Sequence, residues 1–151
     1  MGNYEESAVA QRYGKTPSSD EEITKYLQAL KVIIGSDGEV AEEEMNALRK
    51  GMKRMGASED LTNMIESFNV AGVKLEDVLP TLTPGGKRAR YLLRDAIEIS
   101  RADGTYAQGE KDAVAKAADL LGVSQETRKS IESLVELEHA TKHLRKAIFG
   151  K

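Results

Sequence analysis

The chain has no cysteine and no tryptophan, and only 3 prolines and 5 % aromatic residues among its 151 positions. Without cysteine there is no disulfide frame, no thiolate nucleophile and no cysteine-bound zinc, so direct thiol redox chemistry is excluded. No stretch approaches the roughly 18 consecutive apolar residues of a membrane span. Met1 to Asp20 is polar, without the apolar core of a secretory leader. A formal charge of −3 is too small to argue for a nucleic-acid partner. No alternating apolar–polar run lasts long enough to make a strand. What remains is the expectation of a cytoplasmic, all-α protein. The composition agrees, at 40 % apolar and 31 % charged with abundant Ala, Leu, Glu and Lys, and the length suits one domain with a sizeable core.

One short pattern occurs twice, as Asp37-Gly38-Glu39-Val40-Ala41-Glu42-Glu43-Glu44 and as Asp103-Gly104-Thr105-Tyr106-Ala107-Gln108-Gly109-Glu110. In general form it is D-G-x-φ-A-x-x-E, with φ apolar. Each residue of the second copy follows its counterpart by 66 positions, and residues 33–58 laid on 99–124 match at 9 of 26 positions without a gap. Chance would give roughly one or two, so the spacing predicts an internal duplication.

The chain on either side of the motifs reads as helix throughout. Residues 1–18 carry no sustained period and read as a tail or docking segment. Ser19 and Glu22 form a capping box that opens a helix through Ile23, Leu27, Leu30 and Ile34. After the first motif, a helix from Ala41 to Met55 carries Met45, Leu48, Met52 and Met55 on one stripe and stops at Gly56. Ser58 caps the next, Leu61 to Phe68, which Gly72 is expected to end. A short helix follows from Leu75 to Leu79. Thr83-Pro84 then starts a long helix with Pro84 at its first position. The second motif leads into a helix ending at Gly122. Ser124 caps the last one, whose apolar stripe is Leu134, Leu137, Leu144 and Ile148. The expected architecture is a single bundle of about seven helices over residues 19–151, built from two duplicated helix–loop–helix units.

The order D-G-x-φ-x-x-x-E matches the second half of an EF-hand calcium loop. There the glycine makes the sharp turn, the apolar residue packs inward and the final Glu binds bidentately. The early ligand positions hold Ile33 and Gly35 in one copy, Ile99 and Arg101 in the other, so the cage is incomplete. The candidate metal ligands are Asp37, Glu39, Glu44, Asp103 and Glu110, with a divalent ion, calcium before others, as the cofactor. The first loop is the richer in acids, since Glu39, Glu42 and Glu43 face Thr105, Gln108 and Gly109 in the second. The competing reading is structural. Glu44 and Glu110 fall at the third helical position, where a carboxylate receives backbone N–H groups and suits the helix dipole. Against pure capping, the N-cap residues are Ala41 and Ala107, and alanine is a poor cap.

These residues resemble the tellurite-resistance protein B-like (TerB-like) family. The resemblance rests on Ile33–Gly56 and Ile97–Ser124, two acidic glycine loops each between an apolar helix and a helix closed by Met-Gly or Leu-Gly. It implies an all-helical, cytoplasmic protein tied to tellurite and chemical-stress resistance. It also implies paired acidic loops for divalent metal at Asp37, Glu44, Asp103 and Glu110, and protein partners at the inner membrane. The chain departs from the family in its alanine caps and in the thin second loop.

Two further groups of residues stand out. His139 and His143 lie at i, i+4, with Glu132 and Glu136 on their side and the apolar stripe opposite, so the pair is expected to face solvent as a weak zinc site. Lys87, Arg88 and Arg90 follow Pro84-Gly85-Gly86 at a helix start, where an anion or acidic partner could bind, although the usual fate of such a run is hydration. The segment is not a P-loop, because Thr81 replaces the leading glycine. No Ser-His pair, cofactor loop or metal triad points to an enzyme. The expectation is a non-catalytic divalent-metal module acting through protein partners in stress resistance. The alternative is a helical interaction scaffold whose acids are structural caps.

Overall fold

The computed structural model describes residues 20–36, 40–102 and 104–150, and all seven of its described elements are helices: α1 (Asp20–Ile34), α2 (Glu42–Met55), α3 (Glu59–Ser67), α4 (Leu75–Val78), α5 (Lys87–Ser100), α6 (Gln108–Leu120) and α7 (Gln125–Phe149). The protein is an all-α bundle, and no strand occurs among the described residues. The expected tail over residues 1–18 and the Ser19–Glu22 capping box lie outside the described residues.

Two helices form the centre. α1 buries Ile23, Tyr26, Leu27, Ala29, Leu30, Ile33 and Ile34, which is more than one stripe, because it packs against α3 and α4 as well as α5 and α6. α5 buries Leu92, Leu93, Ala96 and Ile97 among α1, α2, α6 and α7. Each large side chain so buried contributes about 1.5–3 kcal/mol relative to exposure. The Tyr26 hydroxyl donates to Asp95 Oδ2 at 2.7 Å and so ties the two central helices together within the core. α2 buries the expected stripe of Met45, Leu48, Met52 and Met55. It closes on Gly56 at φ +73°, with Ala57 N–H bonded to the Met52 carbonyl in a Schellman-type end.

The interval of 66 positions recurs in the helix boundaries: α1 ends at Ile34 and α5 at Ser100, while α2 starts at Glu42 and α6 at Gln108.

Three local expectations are corrected. Gly72 does not end α3. That helix stops at Ser67 with Phe68 in an extended cap, and Gly72 (φ +73°) serves a separate turn. Pro84 is not the first helical residue either. Thr83-Pro84-Gly85-Gly86 forms a turn closed by Gly86 N–H to the Thr83 carbonyl at 2.9 Å, with Gly85 at φ +66°, and α5 starts only at Lys87. Proline followed by a positive-φ glycine is type II turn chemistry, and here it overrides the helix-start preference. The third correction is the largest. The stripe of Leu134, Leu137, Leu144 and Ile148 on α7 faces away from the bundle, at 46, 65, 60 and 62 % exposure. α7 instead packs through Val135 and Ile131, with Arg94–Glu138 and Arg101–Glu136 ion pairs fastening its flanks.

Candidate metal centre

The centre is built at the two places where a loop enters a helix. Asp37, Glu39 and Asp103, three of the five predicted ligands, lie outside the described residues. The other two, Glu44 and Glu110, are held alike. Ala41 and Ala107 are the N-caps of α2 and α6, at φ −64°, ψ 151° and φ −66°, ψ 154°. An alanine side chain accepts nothing, so half of each capping box is missing. The other half is present: Glu44 Oε1 accepts from Ala41 N–H at 3.0 Å, and Glu110 Oε1 from Ala107 N–H at 3.1 Å.

Both carboxylates are buried, Glu44 at 2 % and Glu110 at 1 % exposure. Burying a carboxylate is costly unless its oxygens find donors or a cation. One helix N–H accounts for one oxygen only. Glu110 Oε2 is shut away from solvent and has no hydrogen-bond donor among the described residues. Capping therefore explains half of this side chain's placement. Oε1 serves the helix, and Oε2 is the oxygen left without a donor among the described residues.

The two loops are joined in space. Ser36 Oγ, at the entry of the first loop, donates to the Gly109 carbonyl in the first turn of α6 at 3.0 Å. Val40 and Tyr106 pack against the core as the motif requires, and Gly104 takes φ +88°, a conformation that favours glycine. The Tyr106 hydroxyl donates to Glu132 Oε2 at 2.9 Å, which anchors the second loop to α7. Burial, reinforced by that acceptor, pushes the Tyr106 phenol well above its ordinary pKa. Lys111 stands over its ring at 5.4 Å.

The spare acids of the first loop are partly committed elsewhere. Glu42 is paired with Arg49 Nη1 at 3.0 Å, and Arg49 Nε reaches Glu66 at 2.9 Å. Among the described residues, no three His, Asp or Glu side chains converge on one point.

The histidines sit otherwise than expected. His139 is half-buried at the rim of an open cleft of about 650 Å³ between α1, α2, α5 and α7, floored by Leu27, Leu30 and Leu48, while His143 is exposed. The orientation follows from α7 packing through Val135, which brings His139 round toward the body. Arg90 Nε turns back to the Gly86 carbonyl at 3.4 Å, and the Gly85 and Gly86 N–H groups are used by Leu121 and Thr83. Sequence reasoning missed Ser36 and Glu132, whose partners lie far along the chain and leave no local signal.

The half-empty capping boxes make a direct prediction. With Ala41 shown to be the N-cap, Ala41→Ser is expected to raise stability by about 0.5–1 kcal/mol, by adding an acceptor for the N–H of Glu44. A neutral or lowered melting temperature would show that this N–H is already satisfied.

Among known proteins, the family model described as Tellurite resistance protein TerB matches residues 25–133, a span that takes in both loops. No curated protein shows a significant match. A crystal structure of a tellurite resistance protein from Nostoc punctiforme superimposes with a TM-score of 0.75 over 97 % of this chain and 92 % of that one, at 21 % identity, a likeness of fold. With a family match over most of its length, centred on the two loops, the chain belongs to the TerB family of tellurite resistance proteins.

Proposed function

We propose that the loops Asp37–Glu44 and Asp103–Glu110 each hold a divalent cation, and that the protein serves tellurite and chemical-stress resistance as a non-catalytic module acting through protein partners. The observation that carries this reading is Glu110 Oε2, a buried carboxylate oxygen left over after helix capping and placed at the last position of a calcium-like motif. Hard oxygen donors on a glycine turn suit calcium. Glu110 would supply Oε2, with Asp103 as its companion acid, and Glu44 and Asp37 would take the matching places in the first loop. The cation would neutralise charge that burial otherwise makes costly, and would tie the loops to the starts of α2 and α6. The incomplete set argues for weak binding, of the order 10⁻⁴–10⁻³ M, and for calcium over magnesium, which insists on a strict octahedron. The first loop remains the stronger candidate through Glu39 and Glu43. The Glu42–Arg49 pair narrows its advantage.

No described helix is long and apolar enough to cross a membrane, so action at a membrane would run through partners. Two copies of the motif on one chain suit a module that responds to cation occupancy.

Thermal melting with and without calcium tests the reading. Calcium should raise the midpoint of the wild type by mass action on the folded state. Glu44→Gln should remove most of that rise and Glu110→Gln a smaller part. Glutamine keeps an oxygen for the Ala41 or Ala107 N–H and so separates charge from capping. An unchanged wild-type melt, or a full shift surviving both substitutions, would leave helix capping as the whole role of these acids.

A further inference from the structure

The exposed stripe on α7 has the spacing of a coiled-coil seam. Leu134, Leu137, Thr141, Leu144 and Ile148 follow one another at intervals of three and four residues, which is the a/d alternation of a heptad. All five are exposed, Leu137, Leu144 and Ile148 by more than half. They lie on the side of α7 opposite Val135, which packs on the bundle, so a partner can approach without displacing any described residue. An apolar row of this size on a surface marks an interaction site. All of it also lies beyond the part of the chain that matches the family, which stops at residue 133.

The charges along α7 say what covers it. From Gln125 to Glu138 the helix carries Glu126, Glu132, Glu136 and Glu138 against Arg128 and Lys129. From His139 to Phe149 it carries Lys142, Arg145 and Lys146 and no acid. A helix that is acidic in one half and basic in the other complements its own antiparallel copy. The positions beside the seam sharpen the fit. With Leu134, Thr141 and Ile148 at a and Leu137 and Leu144 at d, the e positions are Glu138 and Arg145, and the g positions are Ser133, Ala140 and Ala147. Antiparallel coils bring e against e and g against g. In the register that stacks Thr141 on Leu144 of the partner subunit, Glu138 meets Arg145 of the partner subunit twice over, and the small alanines meet each other. A parallel pair would instead bring g against e, setting Ser133 beside Glu138 of the partner subunit and Ala140 beside Arg145 of the partner subunit. Neither charge would then find an opposite one, and the acidic halves would lie side by side. An anionic membrane would be repelled by the acidic half, where Leu134 and Leu137 lie.

We propose that the C-terminal half of α7 is a homodimerisation element, pairing with a second copy of this chain as an antiparallel two-helix coil through Leu137, Thr141, Leu144 and Ile148. Arg145 is available for it, having no ion pair among the described residues. Glu138, held by Arg94 at 3.2 Å, is already set at the edge of the seam. The seam residues Leu137, Thr141, Leu144 and Ile148 belong to neither motif, so the dimer does not rest on the cation reading.

Sedimentation equilibrium on the full chain across the micromolar range tests it. The expected result is a mass of twice the 16.5 kDa chain, unaffected by chelator. Leu137→Glu with Leu144→Glu should give a monomer with unchanged helix content, since both side chains are exposed. Arg145→Glu alone should raise the dissociation constant about tenfold, by turning two attractive rim contacts into repulsions. Adding Glu138→Arg should restore it, which only the antiparallel register predicts. A wild type monomeric throughout would overturn the proposal, as would a dimer indifferent to the Leu137 and Leu144 changes. A monomer whose Leu137 and Leu144 are shielded from oxidative footprinting would assign the stripe to another segment of the same chain. A monomer that co-sediments with phosphatidylserine vesicles would assign it to a membrane surface. Either result would equally overturn the dimer.

Discussion

Gly122→Ala is expected to destabilise the protein by about 3 kcal/mol, while Gly72→Ala costs about 1 kcal/mol, although both glycines have nearly the same backbone angle. Gly122 sits at φ +72° and Gly72 at φ +73°. Either substitution forces an L side chain into the left-handed region, at about 1–2 kcal/mol. The difference lies in what surrounds them. A Cβ on Gly72 meets nothing within 4 Å. A Cβ on Gly122 would lie 2.8 Å from Pro84 Cβ, 3.2 Å from Pro84 Cα and 3.3 Å from Gly85 N. Those atoms belong to a ring and a backbone, so they cannot swing aside, and relieving such overpacking typically costs a further 1–3 kcal/mol.

The crowding is the mark of a joint. Gly85 N–H donates to the Leu121 carbonyl at 2.8 Å, and Val123 N–H to the Ala118 carbonyl at 2.8 Å, so the turn before α5 is locked onto the end of α6. Opening this contact would loosen the part of the bundle that carries the second loop. At roughly 2–4 °C per kcal/mol for a chain of this size, the two variants should differ by about 4–8 °C in melting midpoint. Equal midpoints would mean that the two turns can separate at no cost, and that the joint does not exist in solution.

How much of this was legible in the sequence depends on the reach of each interaction. Helix positions and most caps came from residues within four places of one another: Ser58 and Ser124 accept from Leu61 N–H and Thr127 N–H as their spacing requires. The alanine caps with a glutamate three residues on were likewise readable, and the glutamates do reach back to Ala41 and Ala107. Which side of α7 is buried was not readable, because its most apolar stripe points outward. Hydrophobic periodicity tells which residues share a face, but not whether that face meets the same chain. The packed face of α7 is defined instead by Val135 and by ion pairs to Arg94 and Arg101, whose partners lie some 40 residues earlier and leave no periodic trace. Pro84 failed for a different reason. Its fixed φ serves a helix start and a type II turn equally well, and the choice was made by Gly85 against Gly122. For the candidate centre, the sequence showed which carboxylates recur but not that Ser36 would bring the two loops together.

Lys31 is the one basic side chain buried in α1, and Lys31→Met is expected to cost about 2–3 kcal/mol. Its ammonium Nζ donates to the carbonyls of Ile65 at 2.7 Å, Glu66 at 2.9 Å and Phe68 at 2.8 Å. Those groups lie at the C-terminal end of α3, where carbonyls lack helical partners and the dipole attracts a cation. α3 has no basic residue in its own last turn, so α1 supplies the charge across the bundle. Methionine keeps the aliphatic stem but removes the donor that the three carbonyls share, of which Ile65 alone keeps another in the Phe68 N–H at 3.2 Å, and a buried acceptor stranded in this way costs about 1–3 kcal/mol. The loss is partly offset because the ammonium itself is desolvated. Burial lowers its pKa below the ordinary 10.5, against the opposing pull of Glu66 and with a smaller lowering from Arg49. The sign of the pH effect follows. Between the lowered folded pKa and 10.5 the unfolded chain binds the extra proton, so this group makes stability rise with pH in that window. Lys31→Met should abolish the rise while lowering stability at neutral pH. Urea denaturation of the two proteins at neutral and alkaline pH, with exposed Lys53→Met as control, measures both effects. Hydrogen exchange should show the loss concentrated in α3. A Lys31→Met protein as stable as the control would mean that water replaces the ammonium at the end of α3 without penalty.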